Sequence, residues 1–210
     1  MPDALRSRLV LSDYETDPIT LAKRLIGCTL VRIIDGEELA GKIVETEAYV
    51  GVKDRASHAY GGRRTARNEA MYARAGTAYV YFTYGMHFCM NVVCGRVDEP
   101  VAVLLRALQP IRGIPVMQFR RGPRCRRQAD LCNGPGKLCQ ALGIDRTLNR
   151  IDLTTSDHMW IEPDTPVPTT TARMVQDRRV GIASAGLWAN RLLRWYSTES
   201  DCVSVLRKQR

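Results

Sequence analysis

The sequence predicts a mixed α+β fold, and three observations predict it. Apolar and β-branched runs recur along the chain with short turn signals between them, which favours consecutive, mostly antiparallel strands. A smaller number of helix-periodic segments is interspersed among them. The 210 residues, 45% of them hydrophobic, can bury one substantial core and are too few for two large ones.

The elements follow in order. Asp17-Pro18 reads as an N-cap with proline in the first helical position. Leu21, Ala22, Leu25 and Ile26 then share a helical face, and Gly27 ends it. Residues 28–34 read as a strand, Asp35-Gly36 as a hairpin turn and 39–50 as the returning strand. Further strands are expected at 78–84, 88–94, 100–105, 159–161, 172–175 and 192–196. Helices are expected at 65–73, at 110–121 (weakened by Pro115) and at 136–142. No repeat, low-complexity linker or composition shift marks a boundary, so 1–210 is expected to form a single domain.

Charge narrows the function classes. Lys and Arg number 31 against 22 Asp and Glu, a net charge of +9 with a pI near 9.4, which suggests a polyanionic partner. Arg112, Arg120, Arg121, Arg124, Arg126 and Arg127 offer planar donors for phosphates, the alternative being a solvated charge run. No apolar run is long enough to cross a bilayer, and the first six residues lack a signal peptide's apolar core. A protein with no membrane role, cytoplasmic if bacterial and nuclear if eukaryotic, is expected. The seven cysteines form no C-x-x-C pair, and His58, His87 and His158 are scattered. No metal and no other cofactor is expected, and the thiols read as inert in a reducing compartment. Gly134-Pro135-Gly136-Lys137-Leu138 fails as a phosphate loop, because Leu131 and Leu138 stand where Gly and Ser or Thr are needed.

Two segments carry candidate chemistry. In a strand through Gly41–Tyr49, alternation turns Glu45, Glu47 and Tyr49 to one face. A carboxylate beside a ring suits a base next to a flat ligand, and the bland reading is a solvated face with a surface tyrosine. In Tyr79-Val80-Tyr81-Phe82-Thr83-Tyr84-Gly85-Met86, Tyr79 and Tyr81 share a face. Tyr84 sits three residues beyond Tyr81, next to Gly85, which reads as a turn, so it can project from a hairpin tip while Tyr81 faces inward. A projecting ring on a basic protein can wedge between base pairs, and the bland reading is a core strand.

Together these blocks resemble the alkyladenine (3-methyladenine) DNA glycosylase family. The match runs from Leu21-Ala22-Lys23-Arg24-Leu25-Ile26-Gly27 through Gly41–Tyr49, His58, Gly61-Gly62-Arg63 and Arg67-Asn68. It continues through Ala78–Asn91, Val103–Leu108 and Gly134–Leu142 to Gly181-Ile182, Ala185-Gly186 and Trp188-Ala189. The resemblance implies a single compact α+β domain with a curved, mostly antiparallel sheet, flanking helices and a DNA-inserting β-hairpin. It implies a monomer that acts on double-stranded DNA containing damaged purines. The lesion classes are 3-methyladenine, 7-methylguanine, hypoxanthine and ethenoadenine. Hydrolysis of the N-glycosidic bond would leave an abasic site. Glu47 would be the general base, holding water with Arg106 and the carbonyl of Ile182. Tyr49, His58 and Tyr81 would stack the flipped base, Asn91 would form the slot floor and Tyr84 would fill the vacated stack. Leu187 departs from the family's usual Glu, and Ala183 lies at a variable position. Two other readings stand beside this one. A non-catalytic nucleic-acid-binding module would need neither Glu47 nor Arg106, and a glycosylase-lyase would use a lysine such as Lys137.

Overall fold

Which side of the sheet each residue faces decides where the site lies. A computed structural model describes residues 7–123, 125–164 and 174–206. Four α-helices are described: α1 (Leu11–Tyr14), α2 (Pro18–Leu25), α3 (Ile114–Arg121) and α4 (Pro135–Leu142). The strands are β1 (Thr29–Ile34), β2 (Glu37–Tyr49), β3 (Ala78–Thr83), β4 (His87–Cys94), β5 (Val101–Arg112), β6 (Met159–Glu162), β7 (Met174–Asp177) and β8 (Arg194–Ser197). They form one sheet ordered β3-β4-β5-β2-β1-β6, with β8 joining β2 and β7 joining β8. All the pairings are antiparallel. The α+β class is as expected.

The long β2 serves two neighbours on one edge. Its first half pairs with β1, and Glu45, Thr46 and Glu47 pair with β8. Its other edge runs along β5, with register shifts on either side of Glu45. Strand alternation then separates two environments. Val80, Met90, Val92, Val103 and Leu105 face the main core beneath α2 and α4, with Leu21, Leu25, Leu138 and Leu142. Tyr79, Val93 and Ala102 face the opposite side, under a cover of Ala59, Ala70, Met71 and Tyr72.

Helix α2 begins as the sequence predicts. The Asp17 carboxylate accepts from the Ile19 and Thr20 N–H groups, and Pro18 follows it. The Asp35-Gly36 turn has positive φ at both residues, 52° and 79°, as primed hairpin turns require.

Three expectations change. The strand expected at 100–105 runs on to Arg112, so Pro110 lies in β5 and not at a helix start. It is tolerated because it pairs with Gly41 beside a register shift. Pro115 sits in the first turn of α3, where it favours the helix instead of weakening it. The helix expected at 65–73 is only a 3₁₀ turn, Glu69–Tyr72. The Asn68 side chain takes the Thr65 N–H and donates to the carbonyls of His58 and Arg63, which stabilises a turn in place of a helix. Residues 172 and 173 of one expected strand, Arg124 and the first six residues lie outside the described residues.

Candidate active site

One row across the sheet organises the site. Tyr79 on β3 pairs with Asn91 on β4, Asn91 with Leu104 on β5, Leu104 with Glu47 on β2, and Glu47 with Arg194 on β8. All lie on the sheet face away from the main core. Above this row opens a cavity of about 400 Å³, lined by Tyr49, His58, Tyr79, Tyr81, Asn91, Leu104, Arg106 and Ile182, with the exposed Arg55 and Tyr84 also on its wall.

The aromatic wall is ordered by its own contacts. His58 Nδ1 lies 2.7 Å from the Tyr79 hydroxyl, and the His58 ring meets Tyr81 edge-on at 4.5 Å. Tyr79 and Tyr81 sit 5.2 Å apart. Burial, helped by the Arg67 charge, pushes His58 down to about 4, so the imidazole is neutral above that range. Burial likewise pushes the Tyr81 hydroxyl well up. The Asn91 amide donates to the Tyr79 carbonyl at 3.2 Å and is thereby fixed.

Glu47 is 0% exposed and lies just behind the cavity wall. Its Oε2 accepts from the Tyr49 hydroxyl at 3.0 Å. Its Oε1 accepts from the Val180 N–H at 2.7 Å and lies 3.4 Å from Arg106 Nη1. Burial raises the Glu47 carboxyl above its ordinary value, while Arg106, the Val180 N–H and the Tyr49 hydroxyl pull it down without cancelling the rise. Burial works against the Arg106 charge, but the Glu47 and Glu45 carboxylates outweigh it and raise Arg106 further. The bland reading of Glu45, Glu47 and Tyr49 as a solvated face is excluded: both carboxylates are fully buried.

The 180–182 segment is held by a pair that sequence reasoning missed. Asp54 and Arg179 are both buried and doubly bonded, at 2.5 and 2.8 Å. Arg179 also donates to the Ala48 carbonyl at 3.0 Å and stacks 4.8 Å from the Tyr49 ring. Leu104 was missed as well. An apolar strand residue gives no sign of lining a cavity until its register is known.

Tyr84 is 81% exposed at the β3–β4 turn, with φ of 52° followed by Gly85 at 68°. The arginine stretch lies elsewhere. None of its described members lines the cavity, Arg112 pairs with Glu38 and Glu162, and Arg121 bonds Gln140. Leu187 is 86% exposed, so it disturbs no packing. The seven cysteines are free thiols, six of them buried. No helix among the described residues is long and apolar enough to cross a membrane.

Comparison with known proteins gives a consistent result. The family model for methylpurine-DNA glycosylase matches residues 12–201. A Clostridium acetobutylicum protein, provisionally named a 3-methyladenine DNA glycosylase, is 44% identical over 207 residues, 96% of this chain and 99% of its own. The mouse and human DNA-3-methyladenine glycosylases are each 41% identical over 213 residues. The match covers 98% of this chain and 63% and 70% of theirs.

Proposed function

The chain belongs to the methylpurine-DNA glycosylase family, and from that premise we propose that it excises damaged purines from double-stranded DNA. It hydrolyses the N-glycosidic bond and leaves an abasic site. The observation that carries the reading is the row Asn91–Leu104–Glu47, with a buried carboxylate just behind the wall of an aromatic-lined cavity.

The target bond lies within a base stack, so the nucleotide must be everted. That costs a few kcal/mol, and least for a damaged or mispaired base. Tyr84, exposed beside the cavity, offsets part of the cost by filling the vacated stack. The everted base stacks among Tyr49, His58 and Tyr81, gaining roughly 1–3 kcal/mol by analogy with single-strand binders. Asn91, pinned by its bond to the Tyr79 carbonyl, stands where the amino group of a normal guanine would press.

Cleavage develops positive charge on the sugar, as in glycoside hydrolysis. Ionised Glu47 stabilises that charge and, with Arg106 and the Ile182 carbonyl, orients the attacking water. In the free protein Tyr49 and Val180 occupy the Glu47 oxygens. Oε2 keeps a second lone pair beyond the Tyr49 bond, so it can accept from the water with both bonds kept. The substrates on this reading are 3-methyladenine, 7-methylguanine, hypoxanthine and ethenoadenine.

The test is a panel of duplexes, each with one of these lesions, incubated with the protein and then treated with alkali. Strand scission at the lesion reports base release and is expected. Tight lesion binding with no scission on any duplex overturns the reading in favour of a non-catalytic module.

A further inference from the structure

Beside Glu47 lies a second buried carboxylate that the chemistry above leaves unused. Glu45 is two residues earlier on β2 and 0% exposed. Its Oε1 accepts from Arg194 Nη1 at 2.6 Å and from Arg106 Nε at 3.2 Å, and its Oε2 accepts from the Ser204 N–H at 2.7 Å. Arg106 is therefore shared. Its Nε serves Glu45, its Nη1 faces Glu47 and its Nη2 donates to the Ser204 hydroxyl at 3.3 Å. Arg194 also donates to the carbonyls of Arg178 at 2.9 Å and Val205 at 2.8 Å, and to Asp177 at 2.9 Å.

We propose that Glu45 is a positioning residue for Glu47: it holds Arg106 between the two carboxylates and so sets how much of that guanidinium's charge Glu47 receives. Arg194 and the segment 203–205 fix the share by saturating Glu45 from the other side. The proposal rests on Glu47 being the base. Two carboxylates around one cation each weaken the other's hold on it. The other groups facing Glu47 are Tyr49 on its own strand, Tyr81 on β3, Cys89 on β4 and the Val180 N–H. Burial raises all three of those side chains, which keeps them neutral. The charged groups around the base are thus Arg106 and Glu45, with Arg194 and its partner Asp177 behind them and the Arg179–Asp54 pair behind Tyr49.

The test is the pH profile of single-turnover base release by the full chain on a hypoxanthine duplex. Glu45→Gln leaves Arg106 to Glu47 alone, so the acid limb moves to lower pH by about 1 unit. Arg194→Met leaves Glu45 to draw harder on Arg106, so the limb moves to higher pH. Glu45→Asp restores the limb towards its original position. A purely structural role would lower rate or Tm with the limb unmoved, and unmoved limbs in both folded variants overturn the proposal. Should neither fold, Ser204→Ala decides, since it trims only a half-buried hydroxyl. An acid limb moved at unchanged Tm supports the proposal, and an unmoved limb overturns it. Glu47→Gln separates the two failures. If that variant turns over normally, the base assignment itself is wrong. If it is inactive while the limbs stay put, only the role of Glu45 falls.

Discussion

At one end of the cavity the β3–β4 turn holds Tyr84 81% exposed in a left-handed conformation. Behind the opposite wall Glu45, Glu47, Asp54 and Arg179 are buried, and the three carboxylates already accept from charged or backbone donors. The tip carries strain and an unsatisfied apolar surface, while the back wall carries charge whose solvation the protein has replaced with fixed donors. The difference separates two tasks. Charges that must act on a transition state are organised before substrate arrives, so that no reorganisation is needed during reaction. A ring that must replace a base has nothing to pack on until the duplex is present.

The largest effect should come from the back wall. Glu47→Gln is expected to lower base release by roughly 10²–10⁴-fold, the usual contribution of a positioned base, while lesion binding persists. Its Tm should not fall, because Gln is isosteric and removes a buried charge. The pH dependence sharpens this. The Glu47 carboxyl is raised above 4.5 in the folded protein, so the native state holds that proton more tightly than the unfolded chain. Its stabilising contribution is full below about 4.5 and is lost as pH rises through the raised value. Activity runs the other way, rising with pH over the same interval as Glu47 ionises. Melting curves of both proteins across pH, beside wild-type single-turnover rates, check the opposed slopes. Parallel slopes would mean that Glu47 does not titrate in the active site.

The next effect is on stability. Asp54→Asn leaves Arg179 buried and uncompensated, at a cost of roughly 3–5 kcal/mol, or a Tm lower by about 6–20 °C for a chain of this size. The variant should also slow base release, because Arg179 stacks on Tyr49 and adjoins Val180, which donates to Glu47. Calorimetry on Asp54→Asn, Arg179→Met and the double variant gives the coupling. Additive losses would show that the pair acts as two independent residues.

The two ends also differ in how far they could be read from sequence. The tip was legible because a turn is a local device: period two placed Tyr81 inward, and Gly85 marked the reversal. The same period put Glu45, Glu47 and Tyr49 on one face, but it could not say whether that face meets water or a cavity. Burial depends on β8 and the 180–182 segment, more than 130 residues away in the chain. Asp54 and Arg179 pair across 125 positions, and Arg194 reaches Glu45 across 149, so no local pattern flags them. The misread helix at 65–73 fails for the opposite reason. Its periodicity was plausible, but one asparagine side chain offered the backbone better partners than a helix would.

A smaller effect is expected at the tip. Tyr84→Ala keeps the backbone conformation and removes the ring, so the loss is confined to the everted state. By analogy with base stacking it is roughly 1–3 kcal/mol, about 5- to 150-fold in the eversion equilibrium. The fluorescence change of an ethenoadenine duplex reads that equilibrium, and Tm should stay within about 1 °C of wild type. An unchanged fluorescence amplitude would remove Tyr84 from the eversion step.

The smallest effect isolates the strain at the same position. A non-glycine residue at φ of 52° costs about 1–2 kcal/mol relative to a favoured conformation, and glycine there has no such cost. Tyr84→Gly should therefore lose eversion as Tyr84→Ala does. It should differ from the alanine variant by a Tm about 2–4 °C higher for each kcal/mol of strain relieved. Part of that gain is offset because glycine also has more freedom in the unfolded chain, so the net rise should sit at the low end. A glycine variant that melts no higher than the alanine one would mean that the turn is relaxed with a side chain in place. The exposed end would then differ from the buried end only in solvation, and not in stored strain.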